Sequence, residues 1–243
     1  MTLNRNIALA SVFIERYVLS LVYLWLAWVE LRHCWNIRAE PLVAGSTVMV
    51  EASRHFTRLL LGLFTGLLLL LGRRAAVPPQ KLGDIFIPLA TTFYTLAYYT
   101  APWFPPSFQI NLAPLAWQMP LAVTGLAFMV IGPMIALWGI FYLGRSFGIF
   151  ITLRKVVLTG PYRWVRHPMY LGWVCVCTGV ALANFSGAYF LLVALHIFLL
   201  LYRAHLEETR LSEFSAAYRE YRSGTGFIFP KFRQPGGSLL KAE

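Results

Sequence analysis

The sequence predicts an all-α, polytopic integral membrane protein of about six transmembrane helices, with a C-terminal helical hairpin and a cytoplasmic helical tail. Two observations carry this prediction. Of 243 residues, 58% are hydrophobic and 13% charged, and the mean hydropathy is +0.61. No Asp, Glu, Lys or Arg occurs from Ile85 to Gly144, nor again from His167 to Tyr202. Apolar runs of about 18 residues or more read as spanning helices, because backbone polar groups in lipid must be satisfied within the segment.

The first span is expected within residues 7–32, the second within 56–72, the third within 84–102 and the fourth within 119–143. The fifth (169–183) and sixth (187–203) form a tight hairpin turned by Asn184-Phe-Ser-Gly187. Both of its arms are short for a hydrocarbon core of about 30 Å. Glu15 and Arg16 interrupt the first apolar run. A charge at mid-bilayer costs about 2.5–3.5 kcal/mol on insertion scales. The favoured reading starts the span near Tyr17, after an interfacial prelude; the alternative turns both residues toward protein. No removable leader is expected, since no small-residue cleavage site stands out.

The formal net charge is +11, but the basic residues sit in loops between apolar runs, which argues against nucleic acid as a partner. Basic residues at 73–81, 145–166 and 203–241, against none at 101–116, predict an even number of spans with both termini and both polar clusters cytoplasmic. Cys34, Cys175 and Cys177 are too few and too poorly spaced for a zinc site or disulfides, so they read as structural thiols and no metal is expected. Residues 1–140 read as scaffold and acceptor access, 141–232 as the functional region and 233–243 as a flexible tail.

Two polar clusters flank the hairpin. In the first, Pro168 disfavours helix at His167 and suits the first turn of the next helix. That helix points its positive dipole end back at Arg163 and Arg166, which favours an anion there. Tyr162, Trp164 and Tyr170 offer flat faces for a heteroaromatic base. The same residues also fit an interfacial aromatic belt with snorkelling arginines. In the second cluster, Arg203 and Glu207 are an i, i+4 pair followed by Glu208. Arg203, Glu207, Leu211, Phe214, Tyr218 and Tyr221 line one stripe of a continuous helix ended by Gly224 and Gly226, with an extended tail from Phe229-Pro230. An ordinary surface ion pair is the plain alternative.

The succession Val156-Val157, Gly160-Pro-Tyr162, Arg166-His167-Pro168-Met-Tyr170-Leu-Gly172, Arg203-Ala-His205-Leu-Glu207-Glu208, then Leu211, Phe214, Tyr218, Tyr221 and Pro230 resembles the isoprenylcysteine carboxyl methyltransferase family. That family is a group of membrane-embedded methyltransferases that includes phospholipid methyltransferase-like members. The resemblance covers residues 140–232 and implies S-adenosyl-L-methionine as methyl donor. It also implies donor contacts at Val157, Tyr162, His167, Pro168, Tyr170 and Glu207, and an acceptor-carboxylate arginine at Arg203. Arg166 belongs to the motif and is taken, with Arg203, as catalytic. The segment between Phe147 and Val156 is shorter than in eukaryotic members, leaving one donor contact without a counterpart. Its residues Gly148-Ile-Phe-Ile-Thr152 are apolar enough to dip into lipid.

The reaction implied is O-methylation of a carboxylate on a lipophilic or lipidated acceptor within the bilayer. An ionised carboxylate needs no general base, whereas an amine or thiol must lose a proton, for which His205 and Glu208 are candidates. Less favoured readings are a nicotinamide-dependent sterol reductase and a non-enzymatic membrane factor.

Overall fold

The structure, a computed structural model, describes residues 5–37, 59–60, 62–63, 65–72, 77–94, 97–98, 103–152, 154 and 156–231. Helix α1 (Arg5–Phe13) passes through a π-helical stretch (Ile14–Leu19) into α2 (Ser20–Ile37). Most described residues between 59 and 71 are helical and pack on α2, where Gly62 meets Tyr23 and Ala27, and Gly66 meets Leu24. There follow α3 (Gly83–Phe93), the short α4 (Pro106–Gln109), α5 (Leu115–Leu143), α6 (Pro168–Asn184), α7 (Gly187–Phe214) and α8 (Ala216–Gly224). Among the described residues the secondary structure is helical, with isolated bridges such as Val165–Gly226.

Among these residues, Arg5–His33, Leu115–Ser146 and Gly187–Phe214 are long and apolar enough to cross a membrane; Gly83–Phe93 and Pro168–Asn184 are shorter apolar helices. The expected second and third spans fall partly on residues outside the described set. Outward-facing Trp25, Leu115, Met134, Phe141 and Phe198 are exposed apolar side chains, as lipid-facing helices carry. At 28 residues, α7 is about 42 Å long, so it outruns a core of about 30 Å and carries its polar end beyond it.

Asn184 and Gly187 do bound the expected turn, with Phe185 in the left-handed region at φ 33°. The arms of that hairpin are not its tightest contact. Helix α6 lies along α5 through glycines: a Cβ added at Gly132 would stand 2.5 Å from the Gly172 carbonyl, and one at Gly125 2.6 Å from the Gly179 carbonyl. Small residues let spanning helices approach closely enough for backbone-to-backbone packing.

Three local expectations need correction. At Glu15 the structure favours the alternative to an interfacial prelude: the chain is helical from Arg5, and Glu15 is turned toward protein, buried against the loop after α5. An acid there avoids the cost of lipid by being fully hydrogen-bonded inside protein. The loop Gly148–Thr152 does not dip into lipid. Ile149 and Phe150 join Leu19, Leu69, Ile140 and Phe147 in a buried cluster. The C-terminal helix is not continuous either. Ser215 adopts extended geometry and its hydroxyl accepts from the Tyr218 N–H, starting α8 as a separate helix. Phe214 is consequently left exposed at that corner.

Candidate functional site

A cavity of about 880 Å³, counting its open mouth, lies where these corrections meet. Its wall is contributed by the loop Gly148–Arg154, the motif from Val156 to Tyr170, Glu207, Arg210 and Leu211 of α7, and Tyr218 and Tyr221 of α8. The break at Ser215 turns the two tyrosines back over the motif, and the Tyr221 hydroxyl donates to the Tyr162 carbonyl at 2.6 Å.

The chain after α8 locks the motif from behind. Arg166 N–H donates to the Gly226 carbonyl at 2.8 Å and His167 N–H to the Phe227 carbonyl at 3.1 Å. His167 then caps α6 and Pro168 occupies its first turn, so the helix start faces the cavity through Met169 and Tyr170.

The acids differ in what they have left to offer. Glu208 is buried and accepts from Arg166 Nε at 2.5 Å, lies 3.1 Å from His167 Nε2 and pairs with Arg222 at 3.1 Å. Glu207 lines the cavity with its side chain 25% exposed. One of its oxygens accepts from the Tyr170 hydroxyl at 2.8 Å and lies 3.7 Å from Arg203 Nε. Burial first, then nearby carboxylate charge, holds the phenol of Tyr162 above its ordinary pKa. Tyr218 and Tyr221 are raised chiefly by burial too, so all three phenols stay neutral at physiological pH.

Of the residues singled out from sequence, the cavity wall brings together Val157, Tyr162, Arg166, His167, Tyr170 and Glu207. Others stand outside it. Pro168 is fully buried in the first turn of α6, and Glu208 lies behind Arg166 and His167. His205 is exposed on α7, and Trp164 is exposed and packs on Trp138. Arg203 sits behind Tyr170, its guanidinium 5.6 Å from that ring. It donates to Thr91 Oγ1 at 3.1 Å, Thr92 Oγ1 at 3.4 Å and the Ile149 carbonyl at 2.6 Å.

Residues the motif did not announce are as close to the cavity. Arg154 and Arg210 both line it. Arg154 is paired with Glu15 at 2.7 Å, and Arg210 with Asp84 at 3.0 Å. The signal for their partners was present: Glu15 interrupts an apolar run and Asp84 stands at the edge of a long uncharged one. An acid bordering lipid needs a buried cation.

Among the described residues, a helical protein with three helices long and apolar enough to cross a membrane, and a cavity lined by both apolar and charged side chains, is the class these features define. Residues 121–217 match the family model of phospholipid methyltransferase. The chain is 32% identical over 137 residues to the human protein-S-isoprenylcysteine O-methyltransferase, covering 51% of this chain and 46% of the human protein. It thus spans about half the length of the curated relative it matches. Both findings bear out the resemblance to the isoprenylcysteine carboxyl methyltransferase family carried by the motif.

Proposed function

We propose that this protein is a membrane-embedded methyltransferase that uses S-adenosyl-L-methionine to O-methylate a carboxylate on a lipophilic acceptor. The observation that carries the reading is the convergence of Tyr162, His167, Tyr170 and Glu207 on one cavity, from sequence positions separated by a helical hairpin. The residues fit the donor. Glu207 presents a carboxylate to an amino or ribose group, and Tyr162, Tyr218 and Tyr221 supply neutral hydroxyls and ring faces. When bound, the donor would supply a methyl carried on a sulfonium sulfur, to be passed to an ionised acceptor carboxylate with a neutral thioether as leaving group and no prior loss of a proton.

The chain's part is to position the reactants and exclude water. Glu208 fixes Arg166 and His167, and so sets the motif wall. Arg203 braces Glu207 and Tyr170 from behind and ties α3 to the Ile149 carbonyl. Arg203 is, in this reading, the acceptor-carboxylate arginine that the resemblance implies; its Nε makes no hydrogen bond and lies 3.7 Å from Glu207. In this reading residues 1–140 provide scaffold and acceptor access, and the cavity and both termini face the cytoplasm, where the donor is made. The test is a binding titration of S-adenosyl-L-methionine against NADPH in detergent, followed by mass spectrometry of lipid extracts incubated with labelled donor. Donor binding and label appearing as a methyl ester are the expected results. NADPH binding alone would sink the reading.

A further inference from the structure

The arginines on the cavity wall are not equivalent. Arg166 spends its guanidinium on Glu208 and on the carbonyls of Arg222 and Thr225. Arg210 spends its nitrogens on Asp84 and Glu213. Arg154 differs. Its Nη2 donates to Glu15 Oε2 at 2.7 Å, while its Nε–H is buried without a partner, on a side chain only 11% exposed. A buried donor left unsatisfied is costly unless something supplies an acceptor.

Glu15 is shared between Arg154 and the backbone. Its Oε1 is taken by the backbone N–H groups of Ile149 at 2.6 Å and Phe150 at 2.8 Å, which stabilise part of the carboxylate's charge. Gly148 completes the arrangement: a Cβ there would run into the Arg154 guanidinium, so the glycine makes room for it on the cavity wall. The guanidinium is therefore clamped from one side and overlaid on a residue with no side chain; Arg154 lines the cavity, and its buried Nε–H has no hydrogen-bond partner.

We propose that Arg154 is the carboxylate-binding residue of this cavity and that Glu15, from the first helix, is its positioning residue. This rests on the methyltransferase reading, in which the donor's amino-acid end carries a carboxylate and so does the acceptor. The donor is the favoured source, since Arg154 and Glu207 line one cavity and would take the carboxylate and the amine of one amino-acid group.

The experiment compares affinities in detergent for S-adenosylhomocysteine and its decarboxylated analogue, which keeps the amine. A parallel arm compares N-acetyl-S-farnesylcysteine with its carboxamide. The wild type should prefer the carboxylate form of one pair by about tenfold to a hundredfold, as a charged hydrogen bond supports. Arg154→Gln should abolish that preference, Arg154→Lys should keep part of it, and Glu15→Gln and Gly148→Ala should each reduce it. Loss in the first pair assigns the donor's carboxylate; loss in the second assigns the acceptor's. Should Arg154→Gln not fold, Glu15→Gln with Arg154→Gln removes both charges together and serves in its place. Preference retained by these variants in both pairs overturns the proposal. A wild type that binds no S-adenosylhomocysteine fails at the earlier step and rejects the methyltransferase reading itself.

Discussion

The seam between α5 and α6 and the cavity at its end are built from opposite materials. Along the seam, Gly125 and Gly132 meet Gly179 and Gly172 backbone to backbone, and Gly139 meets Met169. Nothing there depends on charge. Around the cavity, charge does much of the holding: Arg154 is held by Glu15, Arg166 by Glu208 and Arg210 by Asp84. The seam is intolerant of volume, whereas the cavity wall is intolerant of an unbalanced charge. The seam also aims the cavity, because the end of α6 that packs at Gly139 is the end that presents Met169 and Tyr170 to it.

The sharpest way to break this contrast is Gly132→Leu. Its side chain has to displace the Gly172 backbone rather than a flexible neighbour, so no monodisperse folded protein is expected by size-exclusion chromatography. Glu208→Ala comes next. It leaves Arg166, His167 and Arg222 without their shared acid, and should lower stability in a denaturant or thermal series by about 3–5 kcal/mol. Glu207→Ala should behave in the opposite manner. It is partly exposed and faces the cavity, so melting in detergent should barely move while donor affinity falls by about 1.5–3 kcal/mol, read by titration calorimetry. An equal loss of stability in both acid variants would erase the distinction between them. Tyr221→Phe removes one hydrogen bond to the Tyr162 carbonyl and should cost about 0.5–1.5 kcal/mol.

Alkaline titration gives the smallest effect. The folded phenols of Tyr162, Tyr218 and Tyr221 are held above the ordinary phenol value of 10.0, so the folded chain keeps protons that the unfolded chain releases there. Stability attributable to them should be complete below pH 10 and decline as pH rises past it, followed by pH-dependent thermal melting.

Much of the cavity was legible because its motif is contiguous. Pro168 after His167 marks a helix start whatever surrounds it, and both residues take the expected capping positions. Glu207 was legible as a carboxylate on a buried stripe. The stripe itself misled beyond Leu211, because helical periodicity carries no warning of a break: Ser215 favours a cap as readily as a helix interior tolerates it. Arg203 was taken as an acceptor-carboxylate residue from the resemblance; its hydrogen bonds to Thr91, Thr92 and the Ile149 carbonyl were not legible. Those partners lie far away in sequence, and no local pattern points to them.

The glycine seam left a readable trace that composition alone hides: Gly125, Gly132 and Gly139 recur every seven residues, two helical turns apart, as Gly172 and Gly179 do. The sequence by itself determined that this chain is helical and apolar and where its polar motif begins, since periodicity, proline geometry and the cost of charge in lipid are local properties. Only the tertiary structure decided that Glu15 reaches the loop at Ile149 and Phe150, that Asp84 holds Arg210, and that Arg154 keeps a free donor. Those pairings follow from which helices meet in space, and electrostatic neutralisation acts across distance in the fold rather than along the chain.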